Sequence, residues 1–356
     1  MDSINRKRGH IKSALDQEHS ASCFDSIRLK HRSLPNISLH QIVLDTPFFE
    51  KPTNAPFFVS SMTGGPSESE RINRHLAEAC NELQIAMGVG SQRVSIQDGE
   101  AHGLNWSVRH AIGDLPLFAN FGAVNLPHLK VVQELGRILD PIEADALILH
   151  LNPMQEVFQP NGDTDWREII GHISKVCEWS PVPVVVKEVG FGLDVHSSKE
   201  LISAGVKILD VAGTGGTRFA DIEIELNKDI SEILSTNDVF DNWGYTTTEC
   251  LINIRRELPA STCWASGGIR NGLDIAKSMC LGASAVGIAG RLLQPATEST
   301  DAVLRVMRQF ISELRITCFG LGVAAVRELN TKHILDDARL DLGTSPKGAS
   351  SRYEVK

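Results

Sequence analysis

Eight short apolar runs recur along this chain, and nearly every one stops at glycine or at a polar residue. They lie at 57–60, 85–89, 117–120, 146–151, 184–189, 208–212, 262–266 and 285–289. Most begin about thirty residues after the one before, the length of one βα unit. The runs are continuous rather than alternating, as expected of parallel strands covered on both faces. Their ends read Ser61-Met62-Thr63-Gly64-Gly65, Gly88-Val89-Gly90-Ser91, Asn120-Phe121-Gly122, His150-Leu151-Asn152, Lys187-Glu188-Val189-Gly190, Ala212-Gly213-Thr214-Gly215-Gly216, Ser266-Gly267-Gly268 and Ala289-Gly290. This predicts an α/β protein with a (β/α)8 TIM barrel, because barrel closure brings all eight ends to the one face where such folds do chemistry. An open doubly wound sheet is the alternative, and it does not need functional residues after every strand.

The chain has 356 residues, enough for one barrel of roughly 250 residues with additions. Residues 1–55 read as an N-terminal extension with a cationic, substrate-clamping arm, and 56–340 as the barrel. An insertion at 218–247, between the sixth and seventh strands, lies at the active-site face, where long insertions act as lids. The stretch 297–335 reads as helix packed outside the barrel, and 341–356 as a mobile Ser/Gly/Lys-rich tail. The formal charge is −9, from 35 Lys and Arg against 44 Asp and Glu, which argues against nucleic acid as a partner. Seven cysteines are scattered singly, with no Cys-x-x-Cys, so buried thiols are expected rather than a disulfide framework or zinc site. The first residues carry no signal-peptide pattern and no apolar run reaches the ~18 residues of a membrane span. A cytoplasmic protein without a membrane partner is the expectation.

The last two strands bracket a phosphate signature. Ser266-Gly267-Gly268-Ile269-Arg270 follows the seventh run and Ala289-Gly290 follows the eighth, with an amphipathic segment at about 273–280 between them. Glycine lets backbone N–H groups approach an anion, and a helix N-terminus supplies free donors and a favourable dipole. In barrels the loops after strands seven and eight are the usual phosphate site; tight turns needing glycine for sterics alone are the alternative.

Other strand ends carry further chemistry. Ser61, Met62 and Thr63 suit a flat ring with polar edges. Ser91, Gln92 and Arg93 follow the second strand, and Arg93 is an anion ligand. Asn120 ends the third. His150 and Asn152 share a side by period-two alternation, with Gln155 and Glu156 just beyond. A polar pair inside a barrel mouth is costly unless it is paired or functional. Glu156 is placed to hold Mg²⁺, which takes one or two carboxylates together with waters and phosphate oxygens. Lys187 closes an apolar strand; it either offsets an anionic ring or forms a Schiff base. Thr217 offers a hydroxyl after the sixth strand. Arg6-Lys7-Arg8-Gly9-His10 is either a solvated chain start or a flap that clamps a diphosphate.

In order along the chain, these motifs resemble the type 2 isopentenyl-diphosphate Δ-isomerases, from Arg6-Lys7 and His10 through Gly90-Ser91-Gln92-Arg93 and His150…Gln155-Glu156 to Ser266-Gly267-Gly268-Ile269-Arg270. The resemblance runs to about residue 290 and does not reach the tail. It implies an FMN-dependent barrel that interconverts isopentenyl and dimethylallyl diphosphates, with Mg²⁺, a flavin kept reduced by NADPH, and a homo-oligomer, tetramer or octamer. Carried over, Ser61, Met62, Thr63, Ser91, Asn120, Lys187 and Thr217 would hold the flavin ring and ribityl chain. Gly268, Ile269, Arg270, Ala289 and Gly290 would hold its phosphate. Arg6, Lys7, His10, Ser91, Gln92, Arg93, His150, Asn152 and Gln155 would meet the substrate, and Glu156 the magnesium. Gln155, His150 and Lys187 would stand at the reacting centre.

The strand ends offer no cysteine or carboxylate pair for moving protons on an alkene, which leaves a reduced flavin as the shuttle. An FMN-dependent oxidoreductase of the 2-hydroxy-acid oxidase or inosine-monophosphate-dehydrogenase type is the competing reading. It lacks its base histidine or nucleophilic cysteine after the sixth strand, where the chain reads Gly213-Thr214-Gly215-Gly216-Thr217.

Overall fold

The computed structural model describes residues 3–17, 22–93, 96, 103–227, 240 and 242–335. A two-stranded hairpin, β1 (Thr46–Phe48) and β2 (Lys51–Thr53), precedes eight strands: β3 (Phe57–Val59), β4 (Ala86–Ser91), β5 (Leu117–Gly122), β6 (Ala146–His150), β7 (Val184–Lys187), β8 (Ile208–Asp210), β9 (Thr262–Ala265) and β10 (Ala285–Ile288). These eight form a closed barrel in which every neighbour is parallel and β10 pairs back onto β3. All eight apolar runs are therefore barrel strands. Most stop a residue or more before the run does, because the final residues turn into the loops of the mouth.

The outer layer consists of α2 (Ser67–Leu83), α3 (Trp106–Ile112), α4 (Val131–Leu139), α6 (Ile169–Trp179), α7 (Val195–Ser203), α9 (Thr247–Glu257), α10 (Gly272–Cys280) and α12 (Thr300–Leu321). Four helices sit elsewhere: α1 (Ser3–Asp16), α5 (Pro153–Phe158) and α8 (Phe219–Leu226) gather at the mouth, and α11 (Gly290–Glu298) starts at the end of β10. Local chemistry explains the boundaries. Asn271 accepts the Asp274 N–H and starts α10, and a Thr246–Glu249 capping box starts α9. The long helix expected within 297–335 is α12, which packs on α2, α10 and α11.

Alternation along the strands sorts the barrel interior into two levels. The lower level is apolar: Phe58, Phe118, Ile148, Val185 and Trp264 form one buried cluster with Phe48 of the hairpin. Phe58 and Trp264 rings lie 4.7 Å apart and Phe48 stands edge-on to Trp264 at 5.6 Å. The hairpin thus plugs the bottom of the barrel. Its two turn residues, Phe49 (φ 48°) and Glu50 (φ 71°), are left-handed without being glycine, a geometry that two-residue hairpins require. Phe49 offsets that strain by packing on Phe118 and Trp264. Two residues further along the same strands, the inward positions are polar: Asn120, His150, Lys187, Asp210 and Ser266.

The rest of the N-terminal extension runs outside the barrel and bridges to the C-terminal segment at Leu29–Ile334 and Val43–Ala325. All seven cysteines are free thiols, five of them buried. Among the described residues no helix is long and apolar enough to cross a membrane. The tail 341–356 lies outside the described residues, as do 228–239 and 241 of the insertion.

Candidate active site

A cavity of about 410 Å³ opens at the C-terminal mouth of the barrel. Its wall brings together Arg6, Lys7, His10, Ser61, Met62, Thr63, Ser91, Arg93, Asn120, His150, Asn152, Gln155, Glu156, Lys187, Thr217, Ala289 and Gly290, residues from eight separate stretches of chain. A smaller cavity of about 100 Å³ adjoins it, lined by Gly268, Ile269 and Arg270 and sharing Ser61, Lys187, Thr217, Ala289 and Gly290. The exception is Gln92. It is fully buried behind the wall, where its side-chain amide donates to the Leu104 carbonyl and its backbone N–H to the Asn120 carbonyl. These bonds, made in the turn just past β4, hold it away from the cavity that its neighbours Ser91 and Arg93 line, so the sequence expectation that it meets substrate is corrected.

The small cavity is built from glycine. Gly267 (φ 93°) and Gly268 (φ 75°) occupy left-handed backbone, and a Cβ on Gly267 would stand 2.2 Å from the Gly213 carbonyl oxygen. A Cβ on Gly216 would lie 2.6 Å from the Gly268 nitrogen. The loops after β8 and β9 therefore touch backbone to backbone, and α11 begins at Gly290 beside them. Free N–H groups of that helix and of the loops make an anion cradle. Arg270 contributes less charge here than its sequence position suggests. Its guanidinium is engaged by Asp25 at 2.6 Å and Asp274 at 2.8 Å, which ties the N-terminal extension to the rim of the cradle.

On the opposite side of the mouth, α1 lies across the cavity. Lys7 Nζ donates to the Gly64 carbonyl at 2.5 Å, and His10 Nε2 sits 2.9 Å from Glu223 Oε1. Below it, Asn152 precedes α5 and its side-chain amide donates to Glu156 Oε1 at 2.9 Å and to Gln155 Oε1 at 3.1 Å. Glu156 Oε2 accepts from Gln159 Nε2 and from the Asp163 N–H. Gly162 makes this wrap feasible, since a Cβ there would collide with the Glu156 carbonyl. The Gln155 amide donates to Glu223 Oε1 at 3.0 Å.

Glu223 is the residue that sequence reading missed. It is fully buried on α8, and its Oε2 has no hydrogen-bond partner. Burial pushes its carboxyl up, but His10, Gln155 and Arg6 outweigh that and hold it below the usual range. The segment 219–226 carries three acids, Asp221, Glu223 and Glu225, and nothing local distinguishes the inward one.

Electrostatics separate the two inward basic side chains of the mouth, His150 and Lys187. His150 Nδ1 is 2.9 Å from Asn120 Oδ1. Burial, then the nearby Lys187, Lys7 and Arg93, push its pKa down to about 3, so its ring is neutral at physiological pH. Lys187 Nζ donates to the Glu188 carbonyl at 2.6 Å. Burial lowers the Lys187 pKa, against the pull of Asp210 and Glu188. The Glu188 carboxylate collects the N–H groups of Val189, Gly190, Phe191 and Gly192 within 3.0 Å; burial still pushes its pKa up to about 7.

The donors suit two kinds of guest. Ser61 Oγ, shared by both cavities, and Arg6 Nε in the larger one are buried without hydrogen-bond partners. A glycine cradle joined to a polar-floored cavity matches a planar ring carrying a phosphate. Among the described residues, no group of three or more His, Cys, Asp or Glu side chains gathers to hold a metal. Glu156 with neighbouring amide oxygens provides hard donors for Mg²⁺ only when waters and phosphate oxygens complete the shell.

Known proteins share this architecture. The chain matches the FMN-dependent dehydrogenase family over residues 144–336. An (S)-mandelate dehydrogenase described as a monotopic membrane protein superposes with TM-score 0.66 at 13% identity, covering 94% of this chain and 98% of that one. A flavocytochrome b2 superposes with TM-score 0.61 at 18% identity, covering 98% and 83%. At such identities the likeness is one of fold; the family match over residues 144–336 is what makes the chain a barrel of the FMN-dependent class. Sequence relatives carry the matter further. The isopentenyl-diphosphate delta-isomerase of Xanthobacter autotrophicus is 44% identical over 323 residues, covering 90% of this chain and 94% of the relative. That of Pseudescherichia vulneris is 42% identical over 335 residues, covering 93% and 96%. The chain belongs to the isopentenyl-diphosphate delta-isomerase family, and the enzyme is an isomerase.

Proposed function

We propose that this enzyme converts isopentenyl diphosphate to dimethylallyl diphosphate in the cytoplasm, using FMN kept reduced by NADPH and Mg²⁺ on the diphosphate, as a homo-oligomer. The observation that carries this is the pairing of two anion sites around one cavity. The glycine cradle at Gly216, Gly268 and Gly290 stands on one side, and the cationic arm with Arg6, Lys7 and nearby Arg93 on the other. One phosphate belongs to the cofactor, and the second calls for a phosphorylated substrate.

The reaction adds a proton to the terminal alkene carbon and removes one from the carbon two positions along, with no net redox change. Reduced FMN supplies the acid and base for that shift when bound. The chain's residues supply position and charge. Ser61, Met62, Thr63, Ser91, Asn120 and Thr217 would hold the ring and ribityl chain, and Lys187 would offset negative charge on the ring. Arg6, Lys7 and Arg93 bind the diphosphate, and neutral His150, whose Nδ1–H goes to Asn120 Oδ1, flanks it without adding charge. Glu156 would hold the Mg²⁺, which would supply positive charge to the diphosphate. Gln155, fixed by Asn152 and Glu223, stands beside the alkene carbons. The helices α1 and α8 cover the mouth and exclude water from a reaction that water would quench.

An anaerobic assay with isopentenyl diphosphate, Mg²⁺ and NADPH, followed by separation of the two isomers, tests this. The dimethylallyl isomer should accumulate only with FMN bound; equal activity of the FMN-free protein overturns the reading.

A further inference from the structure

Lys187 ends β7 and Asp210 ends β8, and the two are in register in the parallel pairing. Both follow inward-facing residues of the apolar cluster, Val185 and Ile208, by two positions, so both side chains point into the barrel. Asp210 is completely buried. Its Oδ1 accepts from Ser266 Oγ at 2.6 Å, while Oδ2 has no hydrogen-bond partner. A buried carboxylate oxygen without a donor is costly unless a counter-charge stands nearby. The other acid beside Lys187, Glu188, is committed to four backbone N–H groups of its own loop. Asp210, level with Lys187 on the next strand, is therefore the acid beside it that is not committed to a set of backbone N–H groups, while Lys187 lines both cavities.

We propose that Asp210 is a positioning residue: its carboxylate keeps Lys187 protonated and turned towards the cavity, and through Lys187 it sets how strongly the site favours reduced over oxidised flavin. This rests on the reading of Lys187 as the partner of the flavin ring. Asp210 and Glu188 both oppose the burial that lowers the Lys187 pKa, and Lys187 in turn opposes the burial that raises that of Asp210. The other charged or titratable groups around Lys187 are Glu188, which follows it in the chain, neutral His150 on β6, and Lys7 and Arg93, which act on His150 and line the same cavity. None of these can take the place of Asp210: Glu188 is engaged elsewhere, and the rest are neutral or cationic.

The test is the reduction potential of FMN in the loaded enzyme at pH 8, for the wild type, D210N, K187M and D210N/K187M. Asparagine keeps the acceptor for Ser266 and removes only the charge. K187M should lower the potential. D210N should also lower it, with a fall of about tenfold in the preference for reduced flavin, close to 30 mV for a two-electron couple. The double variant should lie no lower than K187M, because Asp210 acts only through Lys187. An unchanged or raised potential in D210N, with K187M still lowered, overturns the role of Asp210 alone, since loss of a bare negative charge raises a potential. No change in K187M overturns the underlying reading of Lys187. Where D210N fails to accumulate as folded protein, D210N/K187M should restore FMN-loaded enzyme by removing the stranded ammonium; failure to restore it counts against the pairing.

Discussion

The lower and upper levels of the barrel interior are separated by only two residues along each strand, about 6.6 Å, yet they obey opposite rules. Below, Phe48, Phe58, Phe118 and Trp264 close the barrel as a dry aromatic core. Above, Asn120, His150, Lys187, Asp210 and Ser266 place hydrogen-bonding and charged groups in space that is almost as buried. Packing holds the first level, and a change there is felt as lost stability. The second is held by mutual hydrogen bonds and by the guests it awaits, and a change there should be felt as lost binding. The contrast shows how one set of strands can anchor a fold and tune a site without the two demands competing for the same positions.

Several substitutions can break that division. The largest effect is expected from Trp264→Ala, which empties the plug and should cost about 3–5 kcal/mol in denaturant unfolding; a cost under about 1 kcal/mol would show that the lower level is not the anchor. Gly216→Ala acts in the upper level, pushing the β8 loop off Gly268. Titration of the FMN-free protein should show at least about tenfold weaker FMN binding, roughly 1.4 kcal/mol, with little change in the unfolding midpoint. Glu156→Gln keeps the shape beside Asn152 and Gln159 but removes the charge. The Mg²⁺ concentration giving half-maximal isomerase activity should rise about tenfold, again about 1.4 kcal/mol, with FMN affinity unmoved.

The smallest effect concerns pH. The folded pKa of His150, about 3, lies below its ordinary value of 6.5. Between those values the unfolded chain binds the extra proton, so stability should fall as pH drops below 6.5. Because His150 is only partly buried as a residue, the loss should stay below about 1 kcal/mol per pH unit. Comparing urea midpoints at pH 7 and pH 5 for the wild type and His150→Asn isolates it: the variant should lose the histidine's share of the slope.

Much of the mouth was legible because barrel closure is a strong constraint. Once eight strand ends share one face, Asn120, His150 and Lys187 need only their places in the runs to be put at the cavity. The failures have a common cause in side-chain direction and in partners distant in sequence. Gln92 sits between two lining residues and faces the other way. Arg270 looks like a free phosphate ligand until Asp25, 245 residues away in sequence, occupies it. Glu223 shares a short helix with two other acids, and only the docking of α8 against α1 and α5 selects it.

The amino-acid sequence by itself determined the strands, their parallel closure and the glycines of the cradle, because these follow from local periodicity and from steric limits on single residues. Tertiary structure alone decided that the 46–53 hairpin plugs the barrel, that Glu223 joins His10 and Gln155, and that Asp210 lies beside Lys187 with an oxygen to spare. Such pairings depend on where separate segments meet in space, and no pattern of neighbours along one chain encodes the distance between them.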